Sequence, residues 1–420
     1  MGYKVCSEST YKALLNEYSN YVDMNLNIDI RRGRPATEQL NLSGAMLKVK
    51  SSDFIAKGTN ADIRNYGLPK GLPEARQLFA DLLGYSVDNV MIGGNSSLNL
   101  MYDIVANSML RGVLGGDRWL DSAKIKFLCP APGYDRHFKI CQDLGIEMIT
   151  VKMNADGPDM DTIEELVSTD PDIKGMWCVP QYSNPTGITF SDEVVTRMAN
   201  LKPCCNNFRI FWDNSYCIHH LYPNDQDHVM DIVAACKEAG NPHMVYTFMS
   251  TSKVTFAGSG VAVVAASPEN IDFLAKQFDT ETIGFDKINQ KMHVDFLKDP
   301  ENILKHMERH AKIMRPKFNV VLKALKSGIR SAKVASWSNP KGGYFISVDV
   351  MPGCAAKVVD MAAKAGVFFT NAGSTFPYGK DPLDSNIRIA PTSVSVKDLA
   401  LAMKVFCVCA NIAAYEKCAK

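Results

Sequence analysis

Phe208-Arg209-Ile210-Phe211-Trp212-Asp213-Asn214-Ser215-Tyr216 and, further on, Met244-Val245-Tyr246-Thr247-Phe248-Met249-Ser250-Thr251-Ser252-Lys253 are the two stretches that decide the fold. Each is a short run rich in aromatic and β-branched residues that ends in a polar cluster. Such runs read as strands buried on both faces, the form that parallel strands take. Working outward, further runs of this kind lie at 89–93, 125–129, 146–151, 175–179 and 261–265. Polar, helix-compatible stretches separate most of them. That alternation predicts an α/β fold with a large, doubly wound sheet, whose functional residues gather beyond the carboxyl ends of the strands. Asp213 and Lys253 fall at two such ends.

The pattern changes after about residue 300. A helical stretch at 301–326 leads to a strand-like run at 342–350, a helix at 355–365 and a short apolar run around Arg388. A chain of 420 residues exceeds one ordinary core. The expectation is a large domain over 51–300 and a smaller α+β domain over 301–420, with an N-terminal arm, 1–50, contributing to the small one.

Hydrophobic residues make up 46%, and 46 Lys and Arg balance 45 Asp and Glu. That balance argues against an electrostatic nucleic-acid binder. The longest apolar stretches read as short and interrupted, so no membrane span is expected. The first residues carry no apolar h-region or cleavage site, and Gly2 with Ser7 does not fit a myristoylation pattern. Twelve cysteines, among them Cys129, Cys178, Cys217, Cys407 and Cys409 in apolar runs and the adjacent pair Cys204-Cys205, show no zinc spacing. They read as reduced thiols of a cytoplasmic protein.

A lysine at a strand end is, alone, most often a solvated charge. Beside a buried aspartate it has another use. Lys253 can form a Schiff base with an aldehyde, and Asp213 can hold a ring nitrogen protonated, which is the recognition pattern of pyridoxal 5'-phosphate. Desolvation and a cationic neighbourhood lower the proton affinity of such a lysine, making it anchor and general acid/base at once. The amide of Asn184 and the hydroxyl of Tyr216 can both donate to a phenolate oxygen. The turn Met91-Ile-Gly-Gly-Asn-Ser-Ser-Leu98 opens a helix, so the backbone at Gly94, Asn95 and Ser96 suits a phosphate dianion, with hydroxyls of Ser96, Ser250 and Ser252 adding contacts. Arg388, flanked by isoleucines in Asn386-Ile-Arg-Ile-Ala-Pro391, suits a carboxylate held bidentately.

The order Asn184, Asp213, Tyr216, Lys253, Arg388 resembles the fold type I aminotransferases over nearly the whole chain. The resemblance implies that Tyr134 stacks on the cofactor ring and that His137, in Pro132-Gly-Tyr-Asp-Arg-His137, supports Asp213. It implies that Arg388 takes the substrate α-carboxylate and that the backbone at Gly33 closes over the substrate. Tyr66, in Asn65-Tyr-Gly-Leu-Pro-Lys-Gly71, matches a tyrosine that reaches the phosphate of the neighbouring subunit, implying a homodimer with shared active sites. One position departs: many relatives carry an arginine eight residues after the lysine, and this chain has Val261. Arg32-Gly-Arg-Pro, Asp156-Gly-Pro-Asp-Met-Asp and Thr375-Phe-Pro-Tyr-Gly-Lys-Asp-Pro look like the bacterial aspartate-aminotransferase-like branch, subgroup 1c. The expectation is therefore a ping-pong transaminase using an amino acid, aspartate foremost, and 2-oxoglutarate. A distal carboxylate then needs a cation from among Arg32, Arg34, Arg64 and Arg136. A carbon–sulfur β-lyase, a cofactor-binding regulator and an inactive relative are the rival readings. The regulator would need a winged-helix module ahead of the fold, and retained Lys253, Asp213 and Arg388 argue against an inactive chain.

Overall fold

The computed structural model describes residues 7–48 and 54–419. Gly2 and the expected boundary at 50/51 lie outside the described residues. Eight strands form the main sheet: β1 (Val90–Ile92), β2 (Lys126–Ala131), β3 (Glu147–Asn154), β4 (Gly157–Pro158), β5 (Ile173–Cys178), β6 (Arg209–Asp213), β7 (Val245–Ser250) and β8 (Ala262–Ala265). Their order is β1-β8-β7-β6-β5-β2-β3-β4. The central five, β7 to β3, run parallel. β8 lies antiparallel between β7 and β1, and β4 antiparallel on β3, which makes the sheet mixed. Every expected strand of the sheet is present with shifted ends, and the short β4 is an addition.

Every residue of β5, β6 and β7 is buried, which is why these strands read as continuous runs. Phe211 sits at the centre of one face. Its ring lies 4.9 Å from Trp177 and 5.9 Å from Phe248, and Phe127 and Tyr246 stand 5.8 Å away. Burying one such ring contributes roughly 1.5–3 kcal/mol. The chain passes from β2 to β3 on one side and then returns to β5 on the other, so the strand order reverses between β2 and β5. A ligand crevice opens at such a point.

A second, antiparallel sheet has the order β9 (Ala335–Trp337), β10 (Ile346–Val350), β11 (Asn386–Ile389), with Ser347 opposite Arg388. The expected run at 342–350 is a strand only in its second half. Gly343 takes a left-handed φ of +78°, and a Cβ on Gly342 would lie 2.3 Å from the Tyr182 ring, so this part turns against Tyr182 instead. Ile28–Asp29 pairs in parallel with Val367–Phe368 and ties the N-terminal segment to the C-terminal region.

Five helices matter below: α1 (Glu8–Asp23), α2 (Ser97–Arg111), α3 (Asp135–Asp143), α4 (Pro300–Gly328) and α5 (Val396–Ala419). α4 begins with Asp299, whose carboxylate accepts from the Asn302 N–H at 2.8 Å, followed by Pro300 in the first turn. α1 lies along α5, with Tyr11 stacked on Tyr415 at 4.2 Å. α5 corrects the reading of short apolar stretches. It is long and apolar enough by length and composition to cross a membrane, yet 72% of its most apolar window is buried within the fold. A helix enclosed on all sides is apolar all round.

Candidate active site

β6 ends in Asp213, which is buried. Its Oδ2 accepts the Nε2–H of His137 at 3.1 Å and its Oδ1 accepts the Ser215 hydroxyl at 2.5 Å. Burial pushes this carboxyl up. The hydrogen bond and field of His137, the Ser215 hydroxyl and Lys253 pull it down further, and the balance leaves it below the ordinary aspartate value. His137 lies in α3 and is stacked on Trp177 at 4.4 Å and 10°, with Tyr134 edge-on at 4.9 Å. The aromatic core beneath the sheet thus fixes the imidazole that fixes the carboxylate.

After β7 the chain makes a short 3-10 turn, Thr251–Lys253. Lys253 Nζ stands 5.2 Å from the Tyr216 ring centroid and 5.7 Å from that of Tyr344. Desolvation lowers its proton affinity, Asp213 opposes this and Arg388 adds to it, leaving it below an ordinary lysine. Burial likewise raises the Tyr216 hydroxyl, which stays protonated as a donor.

Asn184 lies in the turn after β5, closed by the Gly187 N–H donating to Ser183 O at 2.7 Å. Arg388, on β11, donates from Nη1 to Asp135 Oδ1 at 2.7 Å and to Asn184 Oδ1 at 3.2 Å. Its guanidinium lies 4.8 Å over the Phe345 ring. Gly33 packs on the same ring, where a Cβ would come within 2.4 Å of Phe345. Only glycine lets the N-terminal segment come this close to the arginine's platform.

A cavity of about 220 Å³ brings together Ser96, Tyr134, Asn184, Asp213, Tyr216 and Lys253, with Ser250 and Ser252 also on its wall. Ser96 caps α2, accepting from the Leu98 N–H at 3.2 Å, so its hydroxyl hydrogen is free to donate to an anion. Gly94 and Asn95 form the turn behind it. Gly94 O accepts from the Ala262 N–H at 2.8 Å, and Asn95 O from the Ser252 hydroxyl at 3.4 Å. Val261 is buried in the core, its N–H donating to Thr251 Oγ1 at 2.8 Å. Among the described residues that line this cavity, Lys253 is the one cation.

A second cavity of about 490 Å³ is lined by Arg388 together with Arg31, Arg32, Arg34, Arg136 and Asp135. Arg31 is held there by Asp29 at 2.7 Å. Arg64 does not line it and is instead bound to Asp62 at 2.6 Å. Tyr66 is brought to neither cavity within one chain, and its side chain is 79% exposed.

Sequence reading missed Ser215, Trp177, Tyr344, Phe345 and Asp135. Asp135 stands inside the quoted motif around Tyr134, but an acid at a helix start reads as a partner of the helix dipole. Tyr344 and Phe345 gave no motif, since an aromatic pair in a strand-like run reads as core.

The donor set fits pyridoxal phosphate. It has an amine of lowered proton affinity, a buried carboxylate to face a pyridinium, and a hydroxyl-rich helix start for a phosphate. The strand order and the crevice are those of fold type I of the pyridoxal-phosphate-dependent transferases. The chain belongs to the aspartate amino-transferase family, whose model matches residues 6–420, and it is a transaminase. It is 40% identical over 407 residues to an aspartate aminotransferase of Corynebacterium glutamicum, covering 97% of this chain and 94% of that one. A crystal structure of an aspartate transaminase from the same organism matches with a TM-score of 0.95 at 39% identity, over 100% of both chains. The α-aminoadipate aminotransferase LysN of Thermus thermophilus, crystallised with N-(5'-phosphopyridoxyl)-L-leucine, shares the fold with a TM-score of 0.74 at 19% identity, over 97% of this chain and 95% of that one.

Proposed function

We propose that this transaminase moves the amino group of aspartate to 2-oxoglutarate in a ping-pong cycle, with pyridoxal 5'-phosphate held by Lys253. The observation that carries the reading is the shared position of Arg388. It lines a cavity with four further arginines, Arg31, Arg32, Arg34 and Arg136, and donates to Asn184, which lines the Lys253 cavity. A dicarboxylate placed there finds a cation at both ends.

The cofactor, when bound, supplies an electron sink for the bond broken at the substrate Cα. Asp213 would face the ring nitrogen and keep it charged, while His137 and Ser215 keep Asp213 ionised. Asn184 and Tyr216 would donate to the ring's phenolate oxygen, and Tyr134 would cover the ring. Ser96, Ser250, Ser252 and the amides of Gly94 and Asn95 would hold the phosphate at the start of α2, where the helix field favours an anion and would stand in for the arginine that Val261 replaces. Lys253 Nζ would take the proton from the substrate Cα and hand it to the carbon on the other side of the amino nitrogen. Arg388 holds the α-carboxylate, and the segment at Gly33 excludes water above it.

Arg32, Arg34 and Arg136 line the distal cavity with no ion pair among the described residues, whereas Arg31 and Arg64 are committed to neighbouring aspartates. One of those three reads the distal carboxylate. The test is kcat/KM for aspartate against alanine and an aromatic amino acid, in the wild type and in Arg→Ala variants at 32, 34 and 136. Aspartate should be preferred, and one variant should lose that preference by more than about tenfold, roughly 1.4 kcal/mol. Preference for an apolar donor would end the dicarboxylate reading and leave the transaminase intact.

A further inference from the structure

We infer that Asp135 is an internal stand-in for the substrate carboxylate, displaced from Arg388 each time a substrate binds. The inference rests on the reading of Arg388 as the α-carboxylate site. A guanidinium has five N–H donors, two on each terminal nitrogen and one on Nε. In Arg388 both hydrogens of Nη1 are committed, one to Asp135 Oδ1 at 2.7 Å and one to Asn184 Oδ1 at 3.2 Å. Nη2 has no acceptor among the described residues, and Nε is buried without a partner.

A carboxylate held bidentately needs two parallel N–H bonds. The edge formed by Nε and Nη2 is closed, because Nε has no exposed surface for a ligand to meet. The remaining edge pairs Nη2 with Nη1, so Nη1 must release a partner. Asn184 is buried in its turn, 2% exposed. The Asp135 side chain is 32% exposed and borders the cavity of Arg32, Arg34 and Arg136. Asp135 is therefore the partner that leaves, and it leaves into a cationic cavity.

The exchange is carboxylate for carboxylate. It spares the buried Arg388 an interval without a counter-ion, which would be costly in a desolvated site. It also means that every substrate competes with an anion of the protein itself. Asp135 acts through Arg388 as a positioning residue and sets substrate affinity without taking part in the chemistry.

The test is calorimetric titration of the cofactor-loaded protein with succinate, which has both carboxylates and neither an amine nor a carbonyl to react. Asp135→Asn should tighten succinate about tenfold and lower KM for aspartate to a similar extent, with kcat unchanged within about twofold. Asp135→Ser, another residue that suits a helix start, repeats the measurement if the asparagine variant does not fold. Asp135→Glu, which keeps an anion within reach of Arg388, should restore the wild-type Kd. Unchanged or weakened succinate binding in the neutral variants overturns the inference. Arg388→Lys separates the two claims. If it weakens succinate binding while Asp135→Asn does not tighten it, the internal carboxylate alone is wrong; if it leaves succinate binding unchanged, Arg388 is not the carboxylate site.

Discussion

Asp213 keeps its charge in a dry site because both of its oxygens are held, one by His137 and one by Ser215. Its substitution by asparagine keeps the shape and removes the charge. The variant should still bind the cofactor, and its kcat should fall roughly 10²–10³-fold, the scale of losing one preorganised electrostatic contact. An unchanged kcat would mean that Asp213 merely closes the turn after β6. Lys253 has its own chemical test. Borohydride reduction of the loaded protein followed by peptide mapping should place the label on Lys253, and a label on another lysine would reassign the anchor. The sign of the Lys253 shift matters here. Burial and Arg388 make the amine easier to deprotonate, so it acts as a nucleophile at a lower pH than a solvated lysine does.

α4 brings two histidines one turn apart beneath the N-terminal segment. His306 Nε2 lies 2.8 Å from Val254 O, next to Lys253, and His310 Nδ1 lies 3.1 Å from Gln39 Nε2, which donates to the Tyr344 hydroxyl at 3.1 Å. Burial, then His306, pushes His310 down to about 3, so it is neutral in the fold and protonates near 6.5 when unfolded. Between those values the unfolded chain binds the extra proton, so stability rises with pH across that window and is lost as pH falls through it. From pH 6.5 to 5 this single residue accounts for about 2 kcal/mol. His310→Gln should therefore flatten the fall of Tm between pH 7 and 5, read by thermal melts. A slope equal to wild type would mean that His310 does not titrate between the two states. The same elements mark how far the sequence could be read. β5, β6 and β7 were legible because burial on both faces fills them with aromatic and aliphatic residues, with Lys174 and Arg209 confined to their amino ends, and Lys253 and Asp213 because each stands at or just past the end of such a strand. Asp135 and Phe345 were not, since their roles come from partners far away in the chain, and Ser215, which donates to Asp213 two residues before it, read only as part of the turn. α1 has ordinary amphipathic chemistry that no motif marked, and the apolar run of α5 is broken by Lys404 and Asn411, which hid its length.

At the scale of the molecule, the Lys253 cavity has a cationic amine at its centre and only neutral donors at its phosphate end among the described residues. Tyr66 has the opposite problem: it is 79% exposed and lines neither the Lys253 cavity nor the cavity of arginines beside Arg388. Placing Tyr66 on the phosphate end of a second copy would answer both, and would make the working unit a twofold dimer whose sites are shared. A single exposed tyrosine is ordinary on a surface, so the claim needs a functional test. A Lys253→Ala chain keeps its Tyr66 and lacks the anchor; a Tyr66→Ala chain keeps the anchor and lacks the donor. Neither homodimer has a complete site. In their heterodimer, the site with native Lys253 receives native Tyr66 from the other chain, while its twin receives neither. Unfolding and refolding the two together at equal amounts should restore about a quarter of wild-type sites if pairing is random. The readout is activity of the mixture against the sum of the separate variants, with light scattering to fix the oligomeric state. A mixture no more active than the sum places Tyr66 in its own subunit's site or in none, and a monomer at working concentration removes the shared site altogether.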